Sequence, residues 1–495
     1  MRCFYIMDIP TFFSDRKEIL TYDYSKVLNL LGTKNDHSYA ISNLSIDDEN
    51  MVSDYFKSIM LGYNHVYIKS LLDKMGKPSA NISLPLIHQW RGVPQIDNLV
   101  IVSHPDDAER ICKRHIKKTP IFKSLLDSSI ISTTDNDDWK EQRNEMTNAF
   151  LPMSSLQIIF PESVKRARSC SELLIKMSCD YTEPVDMSDF FLNETQAQLQ
   201  KAMFGFSDDF EEKTNKKVRN AFSGIESEYL LEFSREALEE TRESLGPLSI
   251  LFHGKTIRDI SKSAGNMLLF AFAGHDTTGH TLTWLLYELC KNPECKKKLI
   301  SEIDEYWMNN GKENYYTFFQ LPYMTRCITE TLRLWPALAN GTYRELEKDE
   351  YVIGHDGEKV KLEEGTYCQI MNWTRHRNED LWGNDVDNFN PEREFKESEI
   401  WHHEGFGGYN VSSDRFSPFT YGPRNCLGKN FSQMEMRLIL LHLFKDHDFT
   451  LDSRQEKTVH DKKYLGINTF TMGPADVYGG LLGMYMKLHL RKSRL

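Results

Sequence analysis

Apolar and polar positions along this chain repeat mostly with a helical period. Residues 261–290 are apolar on almost every face, which predicts one long, largely buried helix. A glycine and paired threonines in its middle are poor helix formers, so their presence there needs a reason. Phe431, Met434, Leu438 and Leu441 fall on one helical stripe and predict a second core helix. Between the two, residues 321–336 carry Pro322 in a first turn and are stopped by Pro336. Residues 155–260 read as predominantly helical, broken at Pro161, Pro184, Gly205 and the pair Gly246 and Pro247. Strand signals are fewer. Residues 93–102 predict two short strands around a turn at Asp97 and Asn98, then a helix capped by Ser103 with Pro105 and Asp106 in its first turn. Residues 351–360 predict a hairpin, and residues 467–472 and 485–490 two final strands. Residues 1–75 are charged, rich in Asp and Asn, and coarsely helical.

Composition narrows the class. A hydrophobic content of 40% and an aromatic content of 12% suit a globular core. The net charge of −12 argues against nucleic acid as a partner, because such binders carry basic surfaces. Nine scattered cysteines with no C-x-x-C predict a reduced, intracellular chain rather than a disulfide framework. Residues 1–30 hold eight charged side chains and no apolar window of the ~20 residues a spanning helix needs, so neither an anchor nor a signal peptide is expected. The expected location is cytoplasmic or peripheral to a membrane.

The chemistry concentrates in residues 416–431. Phe419, Gly422, Arg424, Cys426 and Gly428 stand at the spacing F-x-x-G-x-R-x-C-x-G, directly before the second core helix. Gly422 allows a tight turn. Arg424 offers a permanent, forked cation suited to a carboxylate. A helix starting after Gly428 favours a thiolate over a thiol at Cys426. A lone Cys is more often a small buried hydrophobe, but four flanking residues of specified type set this stretch apart. It resembles the haem-binding loop of the cytochrome P450 superfamily, with all five signature positions present.

Three further stretches, in family order, strengthen the resemblance. Trp139 and Arg143 form W-x-x-x-R at i, i+4 and so project from one helix face. Read alone they are an ordinary surface pair; their place upstream of the cysteine loop resembles the family's propionate-binding helix. Ala273-Gly-His-Asp-Thr-Thr278 resembles its oxygen-binding motif. By that resemblance Gly274 would leave room for oxygen, while Asp276 and Thr277 would supply protons. Glu330 and Arg333 form E-x-x-R, and Arg393, in a P-E-R segment, would complete a buried structural network with them. Arg344 matches a second propionate-binding arginine.

The resemblance, running from about residue 75 to 490, implies a mainly α fold with small β-sheets and one buried haem b. Residues 76–495 would be the haem-thiolate monooxygenase domain, and 1–75 an extension of unassigned role. The implied reaction inserts one atom of O2 into a lipophilic substrate. No flavin or iron–sulfur segment is found, so NADPH would serve indirectly through a separate reductase, by analogy of the diflavin type. Lys140, Lys429 and Arg437 are expected to meet this partner, and the chain is expected to be a monomer. A haem-thiolate isomerase or peroxygenase, or a non-enzymatic haem sensor, are the alternatives. The region between Phe206 and Asp276, 70 positions, is shorter than the family's roof over the substrate pocket.

Overall fold

The computed structural model describes residues 44, 51–60, 62–90, 93–120, 126, 128–150, 153–223, 228–253, 260–401, 410–458, 471–474 and 483–491. Nearly all of residues 1–50, and most of the strand expected at 467–472, lie outside them. Two helices, α1 (Met51–Met60) and α2 (Asn64–Lys74), lead into antiparallel strands β1 (Ile82–Trp90) and β2 (Val93–Val102). The turn expected at Asp97 and Asn98 is absent. Asp97 pairs with Leu86 and Asn98 with Pro85, so the ladder runs straight through both residues. Both faces of β2 are covered: Leu99 and Ile101 enter the main core, while Val100 and Val102 join a second cluster with Ala108, Ile111 and Cys112. Those three belong to α3 (Pro105–Arg114), whose capping position is His104, not Ser103; the Ser103 hydroxyl instead bonds that of Thr374 at 2.9 Å.

α4 (Asn136–Phe150) and α5 (Met153–Met177) follow, and α5 continues through Pro161 instead of breaking there. After β3 (Val185–Asp186), α6 (Met187–Gln198) ends in a π-helical stretch, Leu199–Phe204. Three helices then span the shortened region: α7 (Asp208–Phe222), α8 (Tyr229–Glu240) and α9 (Pro247–Phe252). α10 (Ile260–Lys291) is the long helix the apolar run predicted, and α6, α7 and α8 pack along it. α11 (Pro293–Asn310) and α12 (Pro322–Leu334) complete the central layer.

Strands β4 (Thr342–Glu345), β5 (Glu350–Ile353), β6 (Lys359–Leu362) and β7 (Tyr367–Ile370) come next. β5 and β6 are the expected hairpin. β7 pairs in parallel with β2 and antiparallel with β4, giving the order β1-β2-β7-β4. Short helices α13 (Asn372–His376) and α14 (Glu379–Trp382) precede the cysteine loop, which feeds α15 (Lys429–Asp446). β8 (His447–Leu451), α16 (Ser453–Thr458) and β9 (Tyr485–Leu490) close the chain, with β9 between β3 and β8. The result is mainly helical with small sheets. Among the described residues no helix is long and apolar enough to cross a membrane, and all eight cysteines are free thiols.

Candidate functional site

The cysteine loop is held in shape by its own backbone. Gly422 and Thr420 take left-handed conformations, φ +61° and +58°, and the Cys426 N–H donates to the Phe419 carbonyl at 3.0 Å. A Cβ at Gly422 would lie 3.3 Å from the Cys112 carbonyl, so the loop passes tightly over the end of α3. The Cys426 side chain is exposed, yet enough protein surrounds it that burial raises its pKa. Three influences oppose that rise: the Lys429 ammonium, the backbone N–H groups of Gly428 and Lys429 at the start of α15, and the Arg143 cation. Phe419 is half-buried with its ring edge against Trp401, 5.9 Å between centroids.

Beside the loop sit cations without anions. Arg344 is fully buried; one nitrogen donates to Thr342 Oγ1 and the Tyr343 carbonyl, both at 2.8 Å. Its Nε and second terminal nitrogen have no partner among the described residues. Arg424 is likewise buried, gives one bond to the Ile130 carbonyl at 3.1 Å, and leaves the same two nitrogens unpartnered. Its guanidinium stacks on Trp139, 4.4 Å from the ring centroid. Lys118, also buried, donates to Thr342 Oγ1 at 2.6 Å. Burial pulls Arg424 down to about 9, with the neighbouring Arg344 adding to the shift. Lys118 is lowered well below its usual range by burial, then by Arg344 and Arg424. Three mutually repelling buried cations are costly unless acceptors complete them. Arg143 stands apart from this set and grips Asn425 at its carbonyl (2.7 Å) and Oδ1 (2.5 Å).

The middle of α10 is closed except at one place. Between positions 265 and 289, all of them described, only Ala273, Gly274 and Thr277 are not buried. Thr277 donates its hydroxyl to the Ala273 carbonyl at 2.8 Å. Such back-bonding by a threonine inside a helix leaves its oxygen lone pairs facing outward. Gly274 has a packing role as well: a Cβ there would lie 2.9 Å from a Leu199 methyl, so the glycine lets the π-helical stretch approach α10. Asp276 is buried and accepts a hydrogen bond from the Thr471 hydroxyl.

Glu330, Arg333 and Arg393 meet in the core. Arg333 holds Glu330 through two nitrogens at 2.8 and 2.7 Å, and Arg393 Nε reaches the same carboxylate at 3.2 Å. Arg393 also pairs with Asp385 at 2.7 Å. Arg375 adds an anchor that sequence reasoning missed: it donates to Tyr421 Oη at 2.6 Å and Ser417 Oγ at 2.7 Å, tying α13 to the cysteine loop.

Comparison with known proteins agrees with this arrangement. Residues 252–474 match the family model described as Cytochrome P450. A putative cytochrome P450, CYP13A5, of Caenorhabditis elegans is 32% identical over 39% of this chain and 34% of its own length. Cytochrome P450 3A12 of Canis lupus familiaris is 31% identical over 39% of this chain and 35% of its own, and the cytokinin hydroxylase of Arabidopsis thaliana 34% over 37% and 32%. These matches support the cytochrome P450 superfamily for residues 252–474, a little under half of the chain. The matched part spans about a third of the length of these curated relatives.

A cytochrome P450 binds haem, and the residues present fit that group. The unpartnered nitrogens of Arg344 and Arg424 ask for carboxylates, which haem carries as propionates. The nearest atom to a Cβ built at Gly428 is the Cys426 sulfur, at 3.9 Å. No contact among the described residues therefore requires glycine there, whereas a flat group beside the sulfur would. Lys118 was missed in the sequence because a lysine in a loop reads as solvated; only the fold brings it to Arg344. The expected reductase-facing patch needs correction. Lys429 and Arg437 are buried, Arg437 donating to Thr325 Oγ1 at 2.9 Å within the helical core. Only Lys140 is exposed, and it pairs with Asp137.

Proposed function

We infer that this chain is a haem-thiolate monooxygenase that inserts one atom of O2 into a lipophilic organic substrate, drawing electrons from NADPH through a separate diflavin reductase. The observation that carries the reading is the pairing of an open Cys426 with a buried cluster of cations lacking anions. Cys426 would hold the iron, and Arg344, Arg424 and Lys118 the propionates, with Trp139 supporting Arg424 and Arg143 fixing the loop at Asn425. Bound haem supplies an iron whose thiolate ligand favours cleavage of the O–O bond. The protein's share is placement and protons. Thr277, anchored to Ala273, offers a hydroxyl oxygen at the opening in the middle of α10, and the Asp276 carboxyl stands one residue away to relay protons. Buried Phe270, Ala339 and Met472 favour an apolar substrate.

The decisive measurement is the visible spectrum of dithionite-reduced protein under carbon monoxide. The strongly red-shifted Soret band of a thiolate-ligated haem is expected, and a band at the unshifted position would overturn the assignment of Cys426. Oxygen consumption that requires both NADPH and the reductase then separates a monooxygenase from a peroxide-driven enzyme, an isomerase or a sensor.

A further inference from the structure

Asp276, His280 and Trp284 stand at i, i+4 and i+8 and therefore share one face of α10. The short stretch Thr471–Gly473 lies along that face. The Trp284 indole donates to the Met472 carbonyl at 2.6 Å, while the Met472 N–H is held by the Ala337 carbonyl at 3.0 Å on the other side. Thr471 is thus fixed by its backbone next to two ionisable side chains. Its hydroxyl donates to Asp276 Oδ2, and His280 Nδ1 lies 2.9 Å from the same hydroxyl. His280 Nδ1 is also 3.7 Å from Asp276 Oδ1.

The donors can be assigned. The Thr471 hydroxyl is the donor to Asp276 Oδ2, so its one proton is committed there. The hydroxyl oxygen is then an acceptor towards the imidazole, which must carry a proton on Nδ1. Burial lowers the His280 pKa, so the ring is neutral and Nε2 is bare. Nε2 has no partner among the described residues and faces Gly473, where a Cβ would come within 2.8 Å. A ring held in one tautomer, with its other nitrogen buried and unused, is more than core filling, since an apolar side chain would fill the space without that cost.

We propose that His280, acting through Thr471, is a positioning residue for Asp276: the chain Nδ1–H to Oγ1–H to Oδ2 fixes the carboxylate beside Thr277 for proton exchange. The same chain ties the segment 471–473 to the helix that carries the proposed proton donors. In this role neither His280 nor Thr471 touches the reacting atoms; both act through Asp276. The proposal rests on the oxygen-activating reading above, and its test keeps the two apart.

The first arm does not depend on turnover. In 15N-histidine-labelled, haem-loaded protein, reduced and bound to carbon monoxide, the resonance lost in His280→Asn should report a protonated Nδ1 and a bare Nε2. Thr471→Val should weaken that preference, which the Asp276 carbonyl also supports. A proton on Nε2 in the wild type overturns the proposal. The second arm measures NADPH consumption with a diflavin reductase in H2O and D2O. His280→Ala and Thr471→Val should slow it about tenfold, a partial loss of an acid–base contribution of ~10²–10⁴, and enlarge the solvent isotope effect. His280→Asn, which keeps a donor at the δ position, and Thr471→Ser should return it to within about twofold. Well-folded His280→Ala with unchanged rate, or His280→Asn as slow as His280→Ala, overturns the positioning role while leaving the oxygenase reading intact. A wild type that consumes no NADPH overturns both, whatever the tautomer.

Discussion

Glu330→Gln tests how the fold secures the cysteine loop. The Glu330 carboxylate is fully buried and accepts four hydrogen bonds: two from Arg333, one from Arg393 at 3.2 Å and one from the Asn390 N–H at 3.0 Å. Its loss strands Arg333, whose other partners are the carbonyls of His376, Val386 and Asn388. An uncompensated buried cation of this kind costs about 3–5 kcal/mol. Arg393→Ala should cost less, about 1–2 kcal/mol, because Glu330 keeps both bonds to Arg333, and the carboxylate left behind, Asp385, is about half exposed. Urea unfolding followed by tryptophan fluorescence measures both, and haem absorbance in the same titration shows whether the cofactor leaves first. We expect Glu330→Gln to lose haem outright rather than turn over slowly. Glu330→Gln within about 1 kcal/mol of wild type, or Arg393→Ala more damaging than Glu330→Gln, would refute the reasoning.

Arg344→Met should act with opposite signs on the two forms of the protein: removing one of three crowded cations raises the melting temperature without haem, yet speeds haem loss to an apomyoglobin acceptor. A variant destabilised in both forms would show that repulsion is not what burdens the empty cradle. Glu194 is buried against Arg166, and burial pushes its carboxyl from 4.5 up to about 7. The folded state then holds the extra proton between these values, so stability falls as pH rises through the interval, by about 3 kcal/mol in all, and is flat above it. Glu194→Gln should remove that slope in urea midpoints compared at pH 5 and pH 8. Burial also raises the Glu435 carboxyl well above the usual range, which favours the neutral acid. Glu435→Gln should therefore melt within about 2 °C of wild type, and a large drop would mean that the carboxylate form is the one in place.

What the sequence made legible was chemistry written in one short stretch. The cysteine loop and α10 each carry their signal in consecutive residues: a glycine where φ is positive, a threonine where a helix should not want one. Pairing across the fold was less legible. Lys429 and Arg437 read as surface because they are charged, but α15 is buried along most of its length, and Arg437 spends its terminal nitrogens on Gln433 and Thr325 inside the core. Lys118, Thr471 and His280 gave no signal, since each gains its meaning from a residue more than a hundred positions away. Asp97 and Asn98 were misleading for a related reason. Their turn preference is local, and β1 supplies a complete ladder that outweighs it.

The parallel pairing of β2 with β7 has a consequence for biosynthesis. Val100 sits opposite Cys368, so 268 residues of chain must be made before β2 receives its second neighbour. At about 5–20 residues per second, that is roughly a quarter of a minute to a minute on the ribosome. Through this time the β1–β2 hairpin can form, but its inner edge presents unpaired N–H and C=O groups together with the apolar side chains of residues 99–102. The nascent chain therefore carries an adhesive edge for most of its synthesis. Yield in a heterologous host should depend on holdase chaperones and on the speed of translation across the central helices more than on the stability of the finished fold.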